Sequence, residues 1–183
     1  QYVGDEIAYG PRLQGLSNEA LRSRVRWAMR QVGLDFEEDK DRYTFNLSGG
    51  QKRKVALASI LALQPEALLL DEPTAGLDPR SSRELLRTLR VLSGEGMTLV
   101  LSSHRMEELA EMTEHLTVLA DGSIALNGEP RGIFAQGERL RKIGLDQPLV
   151  AKLADELHRH GWPVPLGITD PEALSRHVVE AMH

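Results

Sequence analysis

Aliphatic residues recur along residues 17–32 with the spacing of a helix, placing Leu21, Val25, Ala28 and Val32 on one face and Arg22, Arg24, Arg26 and Arg30 on others. Ser17 stands where a side-chain oxygen would cap that helix, and Gly33 where it would end. The arginines read most simply as a solvated face, and the charged residues 37–42 as a loop. From Gln51 the apolar positions Val55, Ala58, Leu61 and Ala62 continue as a largely buried helix that Gln64-Pro65 stops. The period then changes. Residues 67–70 and 97–101 are short aliphatic runs of the kind that form buried strands of a parallel sheet. Between them Asp78-Pro79 has the form of an N-cap with proline in the first turn, and opens a helix carrying Leu85, Leu86, Leu89 and Leu92 until Gly94-Glu95-Gly96 breaks it. This alternation predicts an α/β fold with a parallel sheet and right-handed crossovers. Asp121-Gly122, between the apolar stretches 116–120 and 123–126, predicts a hairpin.

Beyond Gly128 the pattern is helical only. Leu149, Val150, Leu153 and Leu157 share one helical face, Trp162-Pro163-Val164-Pro165 interrupts it, and Asp170-Pro171 starts another helix with Leu174, Val178 and Met182. Two helices this short should not bury their faces alone. They are expected to pack on the body of the protein or on a second copy.

The length of 183 residues suffices for one domain with a sizeable core, or for part of a domain with an appendage. A formal charge of −5 and the lack of a basic stripe with interleaved aromatics argue against nucleic acid as a partner. The absence of cysteine excludes disulfides and thiolate metal sites. No apolar run approaches the roughly 20 residues that span a bilayer, so a membrane role would require a separate protein.

Three sites carry candidate chemistry. Ser48 can cap a helix whose first turn holds Gly49 and Gly50, so that backbone N–H groups and the positive helix end can approach a phosphate; a flexible turn before a helix is the plainer alternative. Asp71 and Glu72 leave the run 67–70 at a strand end, where α/β sheets bind ligands. Adjacent carboxylates there point in different directions, so one can hold Mg²⁺ through water while the other accepts a proton from an attacking water. An N-cap and a solvated acid are the alternatives, although Pro73 and Gly76 indicate a tight turn. His104 follows the second run and is expected at the same sheet edge, able to donate to a phosphate oxygen.

These residues together resemble the ATP-binding cassette (ABC) ATPases. Leu47-Ser48-Gly49-Gly50-Gln51 is similar to the family signature, Leu68 to Glu72 to the Walker B strand with its catalytic glutamate, Ala75-Gly76-Leu77-Asp78 to the D-loop, and His104 to the switch histidine. More narrowly, Val3-Gly4-Asp5-Glu6-Ile7-Ala8-Tyr9-Gly10-Pro11-Arg12 and the tail look like those of energy-coupling-factor (ECF) ATPases, which drive uptake of vitamins and of nickel or cobalt ions. The resemblance implies a partial P-loop NTPase domain over residues 1–130, with a helical subdomain to residue 50 and the Walker B, D-loop and switch region over 51–130. Residues 131–183 would be a helical, dimerising tail.

It further implies an ATPase working as a homo- or heterodimer on the cytoplasmic face of the membrane, bound to an integral membrane subunit. ATP would lie between one subunit's phosphate loop and Ser48, Gly49, Gly50 and Gln51 of the other, with Asp78 at the same interface. Asp71 would position Mg²⁺ through water, Glu72 would polarise the attacking water and His104 would sense the γ-phosphate. The segment around Tyr9 to Gly15 would lie where coupling helices dock. One family element is missing: no G-x-x-x-x-G-K-[ST] occurs in the chain. The expectation is therefore a longer protein that carries this loop upstream, and no hydrolysis by these residues alone. A soluble ABC protein of DNA repair or translation, and a non-hydrolysing relative, are the alternative readings.

Overall fold

The computed structural model describes residues 1–182. They form two compact units, Gln1–Ser102 and a second that begins at Ser103. The boundary expected near residue 130 falls at the start of a short helix within the second unit.

The first unit opens with three helices, α1 (Val3–Leu13), α2 (Asn18–Gln31) and α3 (Phe36–Asp39). Ser17 caps α2 by accepting from the Ala20 amide at 3.3 Å. The charged stretch read as a loop instead contains α3, because Asp35 accepts from the amides of both Glu37 and Glu38 and so nucleates a turn. The α2 arginines do more than face solvent. Arg22 and Arg26 lie over the Phe36 ring, at 5.6 and 4.8 Å from its centroid, and Arg24 donates to the Ala62 carbonyl at 3.2 Å. Ile7, Ala28 and Met29 are fully or almost fully buried among these helices and α4 (Gly49–Leu61).

Strand β1 (Ala67–Asp71) follows, then α5 (Pro79–Gly94) and β2 (Thr98–Ser102). The strands pair in parallel, from Ala67 opposite Thr98 to Asp71 opposite Ser102. Helix α5 packs on β2 and α4 through Leu85, Leu86, Leu89 and Leu92, all buried. Lys54 of α4 and Glu84 of α5 form an ion pair at 3.0 Å, and the hydrogen bond from Lys54, aided by Arg80, holds the Glu84 carboxyl below its ordinary range. The strands are less enclosed than their composition predicts. Leu68 is buried, yet Leu69 and Val100 are 80% and 56% exposed, because within this unit the layer of helices does not cover their side of the sheet.

The second unit contains α6 (Met106–Met112), the hairpin β3 (Leu116–Ala120) and β4 (Ser123–Gly128), and the helices α7 (Pro130–Phe134), α8 (Gly137–Lys142), α9 (Leu149–Arg159) and α10 (Pro171–Ala181). Asp121 and Gly122 both adopt positive φ, +50° and +72°, as a two-residue turn between right-twisted strands requires. Helices α9 and α10 bury part of their apolar faces on each other. Ala154, Val164, Ile168 and Leu174 form the centre of that cluster, with Leu157, Trp162 and Val178 around it. The connector between the helices thus supplies Val164 and Ile168, which neither helical face supplies. Among the described residues no helix is long and apolar enough to cross a membrane.

Leu89 is fully buried where α5 packs against the sheet. Leu89→Ala should destabilise the first unit by about 2–5 kcal/mol through lost burial and a residual cavity. Urea denaturation with an unchanged m-value and a lower midpoint is the expected outcome.

Candidate functional site

The parallel register brings the ends of β1 and β2 side by side. Asp71 lies opposite Ser102, whose hydroxyl donates to Asp71 Oδ1. Immediately beyond, Glu72 turns the chain with φ +44°, in the left-handed region that costs an L-residue with a side chain roughly 1–2 kcal/mol. Three groups hold its backbone there. The Glu72 amide donates to the Ser102 carbonyl at 3.1 Å, while its own carbonyl accepts from the Ala75 amide at 3.0 Å and from Arg53 Nη2 at 2.9 Å. Arg53 Nε also donates to the Pro73 carbonyl at 2.9 Å. Pro73 and Thr74 are buried, and Gly76, at φ +72°, completes the turn toward Asp78.

Helix α4 opens with a reciprocal cap. Ser48 Oγ accepts from the Gln51 amide at 3.3 Å, and Gln51 Oε1 accepts from the Ser48 amide at 3.0 Å. Arg42 Nη2 also donates to Gln51 Oε1, at 3.3 Å, so this side chain is held on the protein's own groups. The two glycines have different surroundings. A Cβ on Gly49 would point into open space, leaving the positive helix end approachable by an anion. A Cβ on Gly50 would stand 2.6 Å from Ser81 Oγ and 3.0 Å from Ser81 Cβ. The glycine there permits close packing against α5.

Ser81 in turn donates to Asp78 Oδ2 at 2.6 Å, and Asp78 caps α5 by accepting from the Arg80 and Ser81 amides at 2.9 and 3.0 Å. The Ser81 hydroxyl and amide, with the Arg80 amide, hold the Asp78 carboxyl below its usual range. The start of α4 therefore packs at Gly50 against the serine that Asp78 holds, and the next turn of the same helix reaches the Glu72 turn through Arg53. His104 belongs to the second unit, exposed in the bend before α6.

Hydroxyl Ser102, hydroxyl Ser81 and guanidinium Arg53 were not singled out by the sequence patterns. Arg53 had a detectable signal: it lies one turn before the buried Leu57 and two before the buried Leu61, so a cation at this position must point into the unit. Ser102 is found by aligning the two strands end to end.

Among the described residues no cluster of three or more His, Cys, Asp or Glu gathers to hold a metal unaided. The Asp71 carboxylate beside the Ser102 hydroxyl offers hard oxygen donors at an exposed edge. That set fits Mg²⁺, which keeps several waters and takes further ligands from substrate phosphates.

Residues 4–110 match a family model described as AAA domain, putative AbiEii toxin, Type IV TA system. The chain is 45% identical over 163 residues to the energy-coupling factor transporter ATP-binding protein EcfA2 of Clostridium perfringens, covering 88% of this chain and 57% of that protein. It is 43% identical to EcfA2 of Caldanaerobacter subterraneus over 178 residues, 97% of this chain and 62% of the relative. The EcfA1 protein of the same organism is 42% identical over 94% of this chain and 61% of its own length. The chain thus spans about three-fifths of the length of these relatives, as the coverage of 57% to 62% states. Its backbone is similar to the solved structure of cbiO1 from Clostridium perfringens, described as part of the ABC transporter complex cbiONQ, with a TM-score of 0.68 and 34% identity, covering 78% of this chain and 57% of that one.

The bonds to Asp78 predict an acid dependence. A carboxyl lowered by folding contributes stability that is complete above its unfolded pKa, about 4, and is lost as pH falls through the lowered folded value. Asp78→Asn keeps a capping oxygen but does not titrate. The wild type should therefore lose its thermal advantage over Asp78→Asn on acidification below about pH 4, in melting experiments at matched ionic strength. Parallel midpoints across that range would remove Asp78 from the acid response.

Proposed function

The chain belongs to this AAA-domain family, and we propose that the whole protein is, within it, an ABC-type ATP-binding subunit that hydrolyses ATP to energise an ECF-type importer of vitamins or transition-metal ions. The carrying observation is the strand-end turn in which Asp71 and Glu72 share one edge with Ser102 and are tied by Arg53 to the helix that Ser48 caps. Such an edge suits a triphosphate. The helix end approachable at Gly49 offers N–H donors to a phosphate oxygen, with Ser48 and Gly50 framing it and Gln51 stabilising the cap.

In this reading Glu72 accepts a proton as a water attacks the γ-phosphate, and His104 donates a hydrogen bond to a γ-phosphate oxygen. Asp71 would hold Mg²⁺ through water, with Ser102 orienting its carboxylate. The bound ion would offset the negative charge of the phosphate oxygens. The protein pairs with a second ATPase subunit, each contributing its capped helix to the nucleotide of the other, and Asp78 lies at that interface. It docks on an integral membrane subunit at the cytoplasmic face of the membrane. Relatives named as transporter ATP-binding proteins, and one described as part of a transporter complex, support these partners.

Residues 131–183 contribute to pairing. Part of the apolar face of α9 and α10 is used within the tail, but Leu149 and Leu153 remain 71% and 51% exposed on α9. Replacing both by serine should leave the tail folded and raise the dissociation constant of the nucleotide-free dimer about tenfold or more, since about 1.4 kcal/mol suffices for that change. Sedimentation over a concentration series reads it directly. Unchanged affinity assigns these residues to solvent.

For the chemistry, Glu72→Gln in the whole protein should retain ATP binding and lower turnover by roughly 10²- to 10⁴-fold, because an amide keeps the shape but cannot take the proton. Turnover at the wild-type rate would move the general base elsewhere.

A further inference from the structure

The Glu72 turn rests on a feature that neither carboxylate explains. Glu72 adopts a left-handed backbone, yet its carbonyl and that of Pro73 are both gripped by a single side chain from another element, Arg53 of α4, at 2.9 Å each. Two N–H groups of one planar guanidinium meet two successive carbonyls, a geometry that an ammonium cannot reproduce.

The ground beneath the turn is not solid. A cleft of about 180 Å³ opens there, lined by Arg53, Leu57, Leu69, Asp71, Pro73 and Leu85 among others. A strained conformation persists only where its surroundings over-determine it, and on the cleft side those surroundings include the Arg53 fork. Without the fork, the Pro73 carbonyl loses the Arg53 Nε donor and the Glu72 carbonyl keeps only the Ala75 amide. Because the pyrrolidine ring fixes φ at Pro73, relief of the strain falls on φ and ψ of Glu72 itself, and a change in its φ would re-aim the Glu72 Cα–Cβ bond.

We infer that Arg53 is a positioning residue for hydrolysis, which fixes the direction of the Glu72 carboxylate by clamping its backbone to the helix capped by Ser48. The inference rests on the reading of Glu72 as general base. It adds a specific consequence: the helix that presents the phosphate-binding end and the turn that presents the base move as one piece. The same clamp is distinct from general helix packing. Arg24 makes a comparable bond from side chain to carbonyl, to Ala62 at 3.2 Å, at the opposite end of α4.

Steady-state ATPase kinetics on the whole protein separate the possibilities. Arg53→Met keeps the aliphatic stem and removes both donors; it should lower kcat by roughly 10- to 100-fold, the scale of an ångström-level misplacement, while KM for MgATP changes by less than about threefold. Arg53→Lys restores one donor and should fall between Arg53→Met and the wild type. Arg24→Met should retain wild-type kcat. Equal kcat in Arg53→Met and the wild type overturns the inference, as does an equal fall in Arg53→Met and Arg24→Met. If Arg53→Met does not fold, Arg53→Lys decides: a wild-type kcat there also overturns it. Glu72→Gln is measured in parallel. Wild-type turnover in that variant defeats the assignment of the base itself, whereas loss there combined with wild-type kcat in Arg53→Met defeats only the clamp.

Discussion

The parallel pairing of β1 with β2 is the constraint on which the rest of the first unit depends. A parallel pair aligns strand ends of the same polarity, so that polar residues following each aliphatic run emerge together at one edge. Asp71 and Ser102 meet there as register partners, and the Glu72 amide extends the ladder by donating to Ser102. A shift of one residue would set Asp71 against Leu101 or Ser103 and dissolve the arrangement. The helix joining the strands is correspondingly well anchored, with Leu89 and Leu92 fully or almost fully buried.

Helix α4 acts as the unit's spine. Its first turn carries the reciprocal Ser48 and Gln51 cap, its second the Arg53 fork and the Lys54 pair with Glu84, and its end accepts Arg24 from α2. The polar bonds are short-range and each contributes modestly. The Lys54 and Glu84 side chains retain 25% and 38% exposure, so solvent screens their attraction. Their value lies in direction. They set the angle at which a helix end and a strand end face the same space, which apolar packing alone specifies loosely.

The two glycines of the capped turn illustrate how one composition serves two purposes. Both suit an anion site by lacking a side chain, but only Gly49 has open space beside it. Gly50 is required by the approach of Ser81, and Ser81 is held in place by Asp78. The start of α4 and the capped start of α5, far apart along the chain, are thus packed closely together at one glycine.

Local chemistry was legible in the chain. The caps at Ser17, Ser48, Asp78 and Asp170, the turn at Asp121-Gly122 and the two aliphatic runs depend on neighbouring residues, so their side-chain and backbone preferences appear in short stretches of sequence. The resemblance of the motif order supplied the expected site residues for the same reason. Other features required the tertiary structure. The α3 turn arises from a cap hidden in a charged run, Leu69 and Val100 are exposed because burial depends on which elements cover a face, and the tail forms a small core through Val164 and Ile168 of its connector. The left-handed turn at Glu72 and its Arg53 clamp are furthest from sequence pattern. Their physical basis is the meeting of a guanidinium with two carbonyls from a remote strand end, a contact that neither residue type nor periodicity specifies.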